Sequence, residues 1–155
     1  VPRHPERFED VYQITQNLNL NTQRRSLNQA IESDTHVYLA DSMGEMWLWY
    51  ALSQACFVGG SLNEPGGGHN ILEPIALGVP TVIGPHYFNF QTIVDEFVSA
   101  YAVAVGEDAA QIAAMLMDFI ENPALAVQMS DNADAIMQKN AGSLAKHIAA
   151  LDYYL

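Results

Sequence analysis

Apolar and polar positions along the chain form blocks that predict strands and helices in turn. Short apolar runs of buried-strand type lie at residues 36–39, 55–58, 81–83 and 101–105. Runs with helical spacing lie at residues 6–17, 46–53, 71–77 and 90–97, and again from residue 109 onward. Roughly four or five short strands alternating with helices predict an α/β fold with a doubly wound, Rossmann-like parallel sheet.

The same pattern makes local predictions at both ends of the chain. Residues 1–4 are predicted to be the end of a strand, and the polar, basic residues 19–28 a surface loop. In the 46–53 helix, the packing residues are predicted to be Trp47, Leu48, Tyr50 and Leu52. Asp41 is expected to cap that helix rather than to contact a ligand. Asp108 is expected to cap the next long helix, which breaks at Asn122 and Pro123. Helices at residues 124–140 and 146–155 then complete the chain.

Residues 57–90 carry the most informative pattern, a strand, a glycine-rich loop, a helix and a second strand. Glycines allow the backbone to approach a ligand closely, and the first turn of a helix offers N–H groups to an anion. Asn70 and Glu73 lie three residues apart, on one face of that helix near its start. An Asn suits a phosphate or carboxylate, and a Glu suits the two hydroxyls of a ribose. The alternative is a loose connection at residues 66–68, with Glu73 merely favoured by the helix dipole.

The charge distribution narrows the function. The chain of 155 residues has a formal net charge of −12, which argues against nucleic acid and anionic lipid as partners. Between Ser26 and Gln138 there is no Lys or Arg. A phosphate at the glycine loop would therefore rely on backbone amides, a helix start or an arginine from the N-terminal segment, of which Arg3 is the candidate. Arg7 is expected simply to pair with nearby carboxylates.

Several familiar chemistries lack their motifs. His69, Glu73 and His86 make a metal site conceivable, but no HExxH or thiolate cluster is present, so no metal is predicted. Ser61 does not lie in a G-x-S-x-G elbow. There is no P-loop, and the glycine spacing does not fit NAD. We expect no cofactor.

Five segments resemble those of the 3-deoxy-D-manno-octulosonic acid (Kdo) transferases of lipopolysaccharide synthesis. In the order of that family they are PRHPERF (residues 2–8), DSMGE (41–45), FVGGS (57–61), GGHNILEP (67–74) and GPHYFNF (84–90). From residue 90 to residue 155 the similarity is only in helical character. Ser42 replaces an expected threonine and keeps the hydroxyl.

The resemblance implies the C-terminal half of a GT-B glycosyltransferase, a single Rossmann-like domain over residues 1–155 that binds the donor CMP-Kdo. It implies that Arg3 contacts the phosphate or nucleotide, with Pro2 beside the base. It also implies a second pocket loop and a set of residues around the glycine loop and the helix start. The predicted donor-binding residues are Pro2, Arg3, Met43, Gly44, Glu45, Gly60, Gly68, His69, Asn70 and Glu73.

The resemblance further implies that the general base, the lipid A precursor site and the membrane attachment belong to an N-terminal domain that this chain lacks. No catalytic residue is therefore nominated here. The expected function is donor binding for Kdo transfer at the cytoplasmic face of the bacterial inner membrane, by a fragment that is itself soluble, does not contact the membrane and is inactive alone. Two alternatives remain, the donor domain of another GT-B enzyme or epimerase that uses a UDP-sugar, and a non-enzymatic Rossmann-like interaction domain.

Overall fold

The computed structural model describes the backbone of residues 1–152 and the side chains of residues 1–141. This part of the chain divides into two compact units, one of residues 1–49 and one that begins at Tyr50. The predicted helix end at residues 153–155 lies outside the described residues. Across the part of the chain that the structure describes, the helices are too short or too polar to span a membrane.

The first unit contains a two-stranded parallel sheet. Helix α1 (Phe8–Asn17) follows a 3-10 turn at Pro5–Arg7, and lies beside strand β1 (Thr22–Arg24). A second 3-10 turn, Arg25–Leu27, leads towards β2 (Val37–Leu39). The strands pair in parallel, with Arg24 opposite Leu39. Helix α2 (Met46–Ala51) begins in this unit and ends in the next.

The second unit contains a three-stranded parallel sheet in the order β3-β4-β5. The strands are β3 (Cys56–Phe57), β4 (Thr81–Ile83) and β5 (Ala104–Val105). Helix α3 (Leu72–Ala76) connects β3 to β4, and a 3-10 turn at Phe88–Phe90 with α4 (Gln91–Ser99) connects β4 to β5. Helices α5 (Ala109–Glu121) and α6 (Pro123–Asp152) complete the unit.

Strand β4 is fully buried because both faces of its sheet are covered. Ile83 belongs to a core cluster with residues of α3, α4 and α6, whereas Val82 belongs to a second cluster with Ile112 and Phe119 of α5. Neighbouring residues of a strand point to opposite faces, so the two clusters lie on opposite sides of the sheet. Helices on both faces of a parallel sheet are the doubly wound arrangement that the sequence predicted.

Some local predictions are wrong. Residues 1–4 do not form a strand, and the predicted loop at residues 19–28 contains β1. Its pairing with β2 overrides the polar composition, since tertiary contacts dominate strand formation. Residues 123–152 form one helix rather than two, and Gly142 does not interrupt it. In addition, Trp47, Leu48 and Leu52 are exposed rather than packed. Of the two predicted helix caps, Asp108 caps α5 as predicted, whereas Asp41 has another role.

Candidate functional site

The glycine-rich loop of the second unit is closed by its own backbone hydrogen bonds. The N–H of Gly68 donates to the carbonyl of Gly60 (2.9 Å), and the N–H of Gly67 donates to the carbonyl of His86 (3.0 Å). Both glycines are buried, with φ of +78° at Gly68 and +104° at Gly67. Such positive φ values favour glycine. These two amides therefore fix the loop, and they are occupied rather than offered to an anion.

Gly60 and His69 lie against each other. Gly60 has a φ of +80°, and a Cβ on it would lie 2.8 Å from Nε2 of His69. The position thus requires glycine both for its conformation and for the space that the imidazole occupies. The structure brings these two predicted residues together, on the side of the loop that leads to α3.

Ser61, which the sequence analysis considered only as a nucleophile, joins this loop to the end of β4. Its side chain is buried, donates to the carbonyl of Val58 (3.2 Å) and accepts from the N–H of Gly84 (2.8 Å). The N–H of His86 donates to the carbonyl of Ser61 (2.8 Å). Buried polar groups with all partners satisfied hold neighbouring segments in one arrangement. Ser61 therefore positions the glycine loop against residues 84–86.

Asn70 and Glu73 form a hydrogen-bonded pair at the start of α3. Oδ1 of Asn70 accepts the N–H of Leu72 (3.0 Å), and Nδ2 of Asn70 donates to Oε1 of Glu73 (3.3 Å). Asn70 is exposed and Glu73 half-buried. Because α3 has only five residues, its dipole is smaller than that of a long helix. What the site offers a ligand here is chiefly an amide and a carboxylate held side by side.

Tyr50 is a polar group near Glu73 that the sequence analysis treated only as a packing residue. Burial raises the pKa of Tyr50 to about 12, and the charges of Cys56 and Glu73 add to the effect. The phenol is protonated at neutral pH, as an ordinary tyrosine is, and the raised pKa keeps it a hydrogen-bond donor even in alkaline solution.

In the first unit, the loop after β2 holds Glu45 in a strong ion pair. Arg25 donates from Nη2 to Oε1 of Glu45 (2.7 Å) and from Nε to Oε2 (3.1 Å), and the Ser42 hydroxyl also donates to Oε2. The hydrogen bonds from Arg25, followed by that from Ser42, lower the pKa of Glu45 to about 2. Glu45 is therefore a fixed anion at neutral pH.

Asp41 does not cap α2, which corrects the sequence prediction. Its buried carboxylate accepts from Nε of Arg24 (2.7 Å) and from the N–H (2.8 Å) and hydroxyl (2.6 Å) of Ser26. Burial by itself would raise the pKa of Asp41, but the bonds from Ser26 and Arg24 together lower it below its ordinary value. The role of Arg24 and Arg25 was missed because the prediction placed both in a surface loop.

The remaining predicted residues of this unit are accessible. Arg3 is exposed and Pro2 half-buried, and Met43 keeps 64% of its surface exposed. Gly44 has a φ of +79°, with open space where a Cβ would lie. Arg7 pairs with Asp10 (3.7 Å) as expected. The five predicted residues at positions 2–45 lie in the first unit and the five at positions 60–73 in the second, and their meeting in one pocket stays a prediction.

The remaining candidate chemistry was a metal site. Among the residues that the structure describes, no group of three His, Cys, Asp or Glu side chains lies close enough together to hold a metal ion.

Comparison with known proteins identifies the family. Residues 15–135 match the model for glycosyl transferases group 1. The whole chain aligns with the 3-deoxy-D-manno-octulosonic acid transferases of Haemophilus influenzae, at 36% identity, and Bordetella pertussis, at 34%. The solved structure of the C-terminal CMP-Kdo binding domain of WaaA from Acinetobacter baumannii is similar, with 62% identity and a TM-score of 0.87. The chain belongs to the Kdo transferases of glycosyl transferases group 1.

The extent of these matches shows which part of a Kdo transferase the chain corresponds to. It spans 36% of the length of both curated Kdo transferases, whereas the WaaA match covers 89% of this chain and 72% of the solved one. The chain thus corresponds to the C-terminal domain of that protein. Both the resemblance noted from the sequence and the Rossmann-like α/β fold of GT-B type are confirmed.

Proposed function

We propose that this chain is the donor-binding domain of a glycosyltransferase that transfers Kdo from CMP-Kdo to a lipid A precursor. The observation that carries the proposal is the similarity, at 62% identity, to a domain described as CMP-Kdo binding. Identity of that level over 89% of the chain makes a shared ligand the simplest expectation.

The chemistry of the predicted residues suits a nucleotide-sugar. The Glu73 carboxylate can accept hydrogen bonds from two ribose hydroxyls, while the adjacent Asn70 amide can donate to an anionic oxygen. Arg3 would supply the positive charge for the phosphate, with Pro2 and Met43 as apolar contacts beside the base. Arginine binds phosphate well because its planar fork of donors matches phosphate oxygens. In this proposal, an acidic domain binds an anionic donor because a few side chains at the site supply the positive charge and the hydrogen bonds.

The acceptor and the catalytic base are proposed to lie outside these residues. Kdo transfer requires a base that deprotonates the attacking hydroxyl of the acceptor. We propose no residue of this chain for that role. The proposed whole enzyme works at the cytoplasmic face of the bacterial inner membrane, where its N-terminal domain would contact the lipid acceptor. Incubation of this chain alone with CMP-Kdo and lipid A precursor is expected to give no transfer, and Kdo transfer by the chain would overturn this division of labour.

The donor site is tested with Glu73→Ala. The variant is expected to bind CMP about tenfold more weakly by calorimetry, because the ribose hydroxyls lose a charged acceptor. Glu121→Ala is the matched control, an exposed glutamate at the end of α5, and it should bind CMP like the parent chain. Equal CMP affinity for Glu73→Ala and the control would remove Glu73 from the site.

A further inference from the structure

Three consecutive residues at the end of β1 bind both ends of the loop at residues 41–45. Arg24 and Ser26 bind Asp41 at the start of the loop, and Arg25 binds Glu45 at its end. The reason is topological. Because β1 and β2 pair in parallel with Arg24 opposite Leu39, the segments that follow the two strands leave the sheet side by side.

The two ends of the loop differ in their exposure to solvent. The side chain of Asp41 is 0% exposed and that of Arg24 is 17% exposed, so this pair belongs to the interior. The side chains of Arg25 and Glu45 are 36% and 27% exposed. A ligand at the loop can therefore reach the Arg25–Glu45 pair, whereas the Arg24–Asp41 pair fixes the start of the loop within the fold.

The contacts of Glu45 leave it one orientation. Arg25 approaches both carboxylate oxygens in a two-point arrangement, and Ser42 binds one of them from within the loop. Between Ser42 and Glu45 lies Gly44, which has a left-handed conformation and open space where a Cβ would lie. A glycine contributes little rigidity of its own, because its backbone can adopt many conformations. The conformation of residues 43–45 thus depends on polar contacts, and Arg25 supplies two of them.

We propose that Arg25 is a positioning residue of the donor site, which holds Glu45 and the loop at residues 43–45 in the conformation that binds the nucleotide. This inference rests on the proposed function, since it assigns Arg25 a role in binding CMP. Arg25 acts through Glu45 and need not touch the ligand. Lysine could not fully replace it, because an ammonium group lacks the planar two-point geometry.

The experiment is a double-mutant cycle on CMP affinity, measured by calorimetry with Arg25→Ala, Glu45→Gln and the double variant. Arg25→Ala is expected to weaken CMP binding about tenfold, the scale of one charged hydrogen bond. In the Glu45→Gln background it should cause no further loss, because the group that it positions is already changed. Arg25→Lys should recover part of the affinity. Arg25→Ala should remain folded and lose less stability than a variant of the buried Arg24–Asp41 pair, since partly exposed ion pairs contribute less to stability.

Arg7→Ala is the matched control, because Arg7 forms an exposed ion pair with Asp10 in the same unit. It should bind CMP like the parent chain. Should Arg25→Ala not fold, Arg25→Lys and Ser42→Ala apply the same test with smaller changes, and each is expected to weaken binding.

Wild-type CMP affinity in Arg25→Ala, or in both Arg25→Lys and Ser42→Ala, would overturn the positioning role of Arg25 and leave the proposed function standing. Additive losses in the cycle would also overturn it, since they would mean that Arg25 acts independently of Glu45. Absence of CMP binding by the parent chain would overturn the proposed function, and the positioning role with it.

Discussion

Two carboxylates of one short loop are ionised for different reasons. Asp41 is buried and keeps its charge because three donors from Arg24 and Ser26 surround it. Glu45 is partly exposed, and the hydrogen bonds from Arg25 and Ser42 lower its pKa, so that it stays ionised at more acid pH than an ordinary glutamate. A buried charge with all its partners is tolerated, whereas the same charge or its partner alone is costly. Substitution should therefore affect stability at Asp41 and pH dependence at Glu45.

Asp41→Asn is expected to destabilise the chain by about 2–4 kcal/mol. The amide NH2 of Asn would face the donor groups of Arg24 and Ser26, and Arg24 would keep only the exposed Glu9 as an ionic partner. The free energy of unfolding from urea titration measures this loss. Asp10→Asn is the control, an exposed carboxylate 3.7 Å from Arg7, and should cost less than about 0.5 kcal/mol. Equal losses for the two variants would contradict the account of Asp41.

Glu45 should make stability depend on acid pH. Its pKa in the folded chain is about 2, below the ordinary value of 4.5. A lowered carboxyl pKa stabilises the fold above the unfolded pKa, and that contribution disappears as the pH falls from about 4.5 towards 2. The stability difference between the parent chain and Glu45→Gln should thus be present at pH 6 and shrink across this range. A difference that is independent of pH would contradict the ion pair with Arg25.

At this scale the sequence predicted partners only where they are close in the chain. Asn70 and Glu73 are three residues apart, and their contact follows from helical spacing. Arg7 with Asp10 is a similar case. The pairs Arg24–Asp41 and Arg25–Glu45 join residues 17 and 20 positions apart. Such pairs depend on the register of β1 and β2, which residue types alone do not determine.

Among the elements, hydrophobic pattern predicted the strands with strong apolar character. The strands at residues 81–83 and 55–58 were predicted correctly, because β4 and β3 belong to the sheet that has helices on both faces and their sequences are therefore apolar. Strand β1 was missed since its sequence Thr-Gln-Arg has no apolar residue, and it forms because β2 provides the hydrogen bonds. Helix α6 was predicted as two helices, but its backbone continues through Gly142, since one glycine lowers helix propensity only weakly within a long helix.

The junction of the loops after β3 and β4 makes an element-scale prediction at Gly84. A Cβ there would lie 2.6 Å from the carbonyl carbon of Ser61 and 2.7 Å from Cα of Leu62, both backbone atoms. Gly84→Ala should therefore displace the glycine loop and destabilise the chain by about 2–3 kcal/mol. Chemical denaturation measures the loss.

Gly59→Ala is the control, because a Cβ at Gly59 would meet nothing within 4 Å. It should be neutral or stabilising by up to about 0.5 kcal/mol, since alanine reduces the entropy of the unfolded chain. If Gly84→Ala is tolerated as well as Gly59→Ala, the two loops are not in contact as described.

At the scale of the whole molecule, the net charge argued against nucleic acid as a partner, and the order of the five family segments indicated CMP-Kdo as the ligand. A net charge of −12 is unfavourable for nucleic acid, and Arg7, Arg24 and Arg25 pair with carboxylates of the first unit. The net charge of the chain therefore says little about whether a site formed by a few individual side chains can bind an anion. The five family segments carried the functional prediction, since no single glycine motif distinguishes a CMP-sugar from a UDP-sugar.

The central claim, that this chain binds the nucleotide of CMP-Kdo, is tested most directly by titration with CMP, UMP and UDP in calorimetry. The account predicts that CMP binds more tightly than UMP and UDP, because a site that accepts CMP-Kdo is expected to match the polar edge of cytosine, which differs from that of uracil. Preference for UDP would instead indicate a UDP-sugar enzyme. If none of the three nucleotides binds at millimolar concentration, the claim that this chain holds the donor site is contradicted.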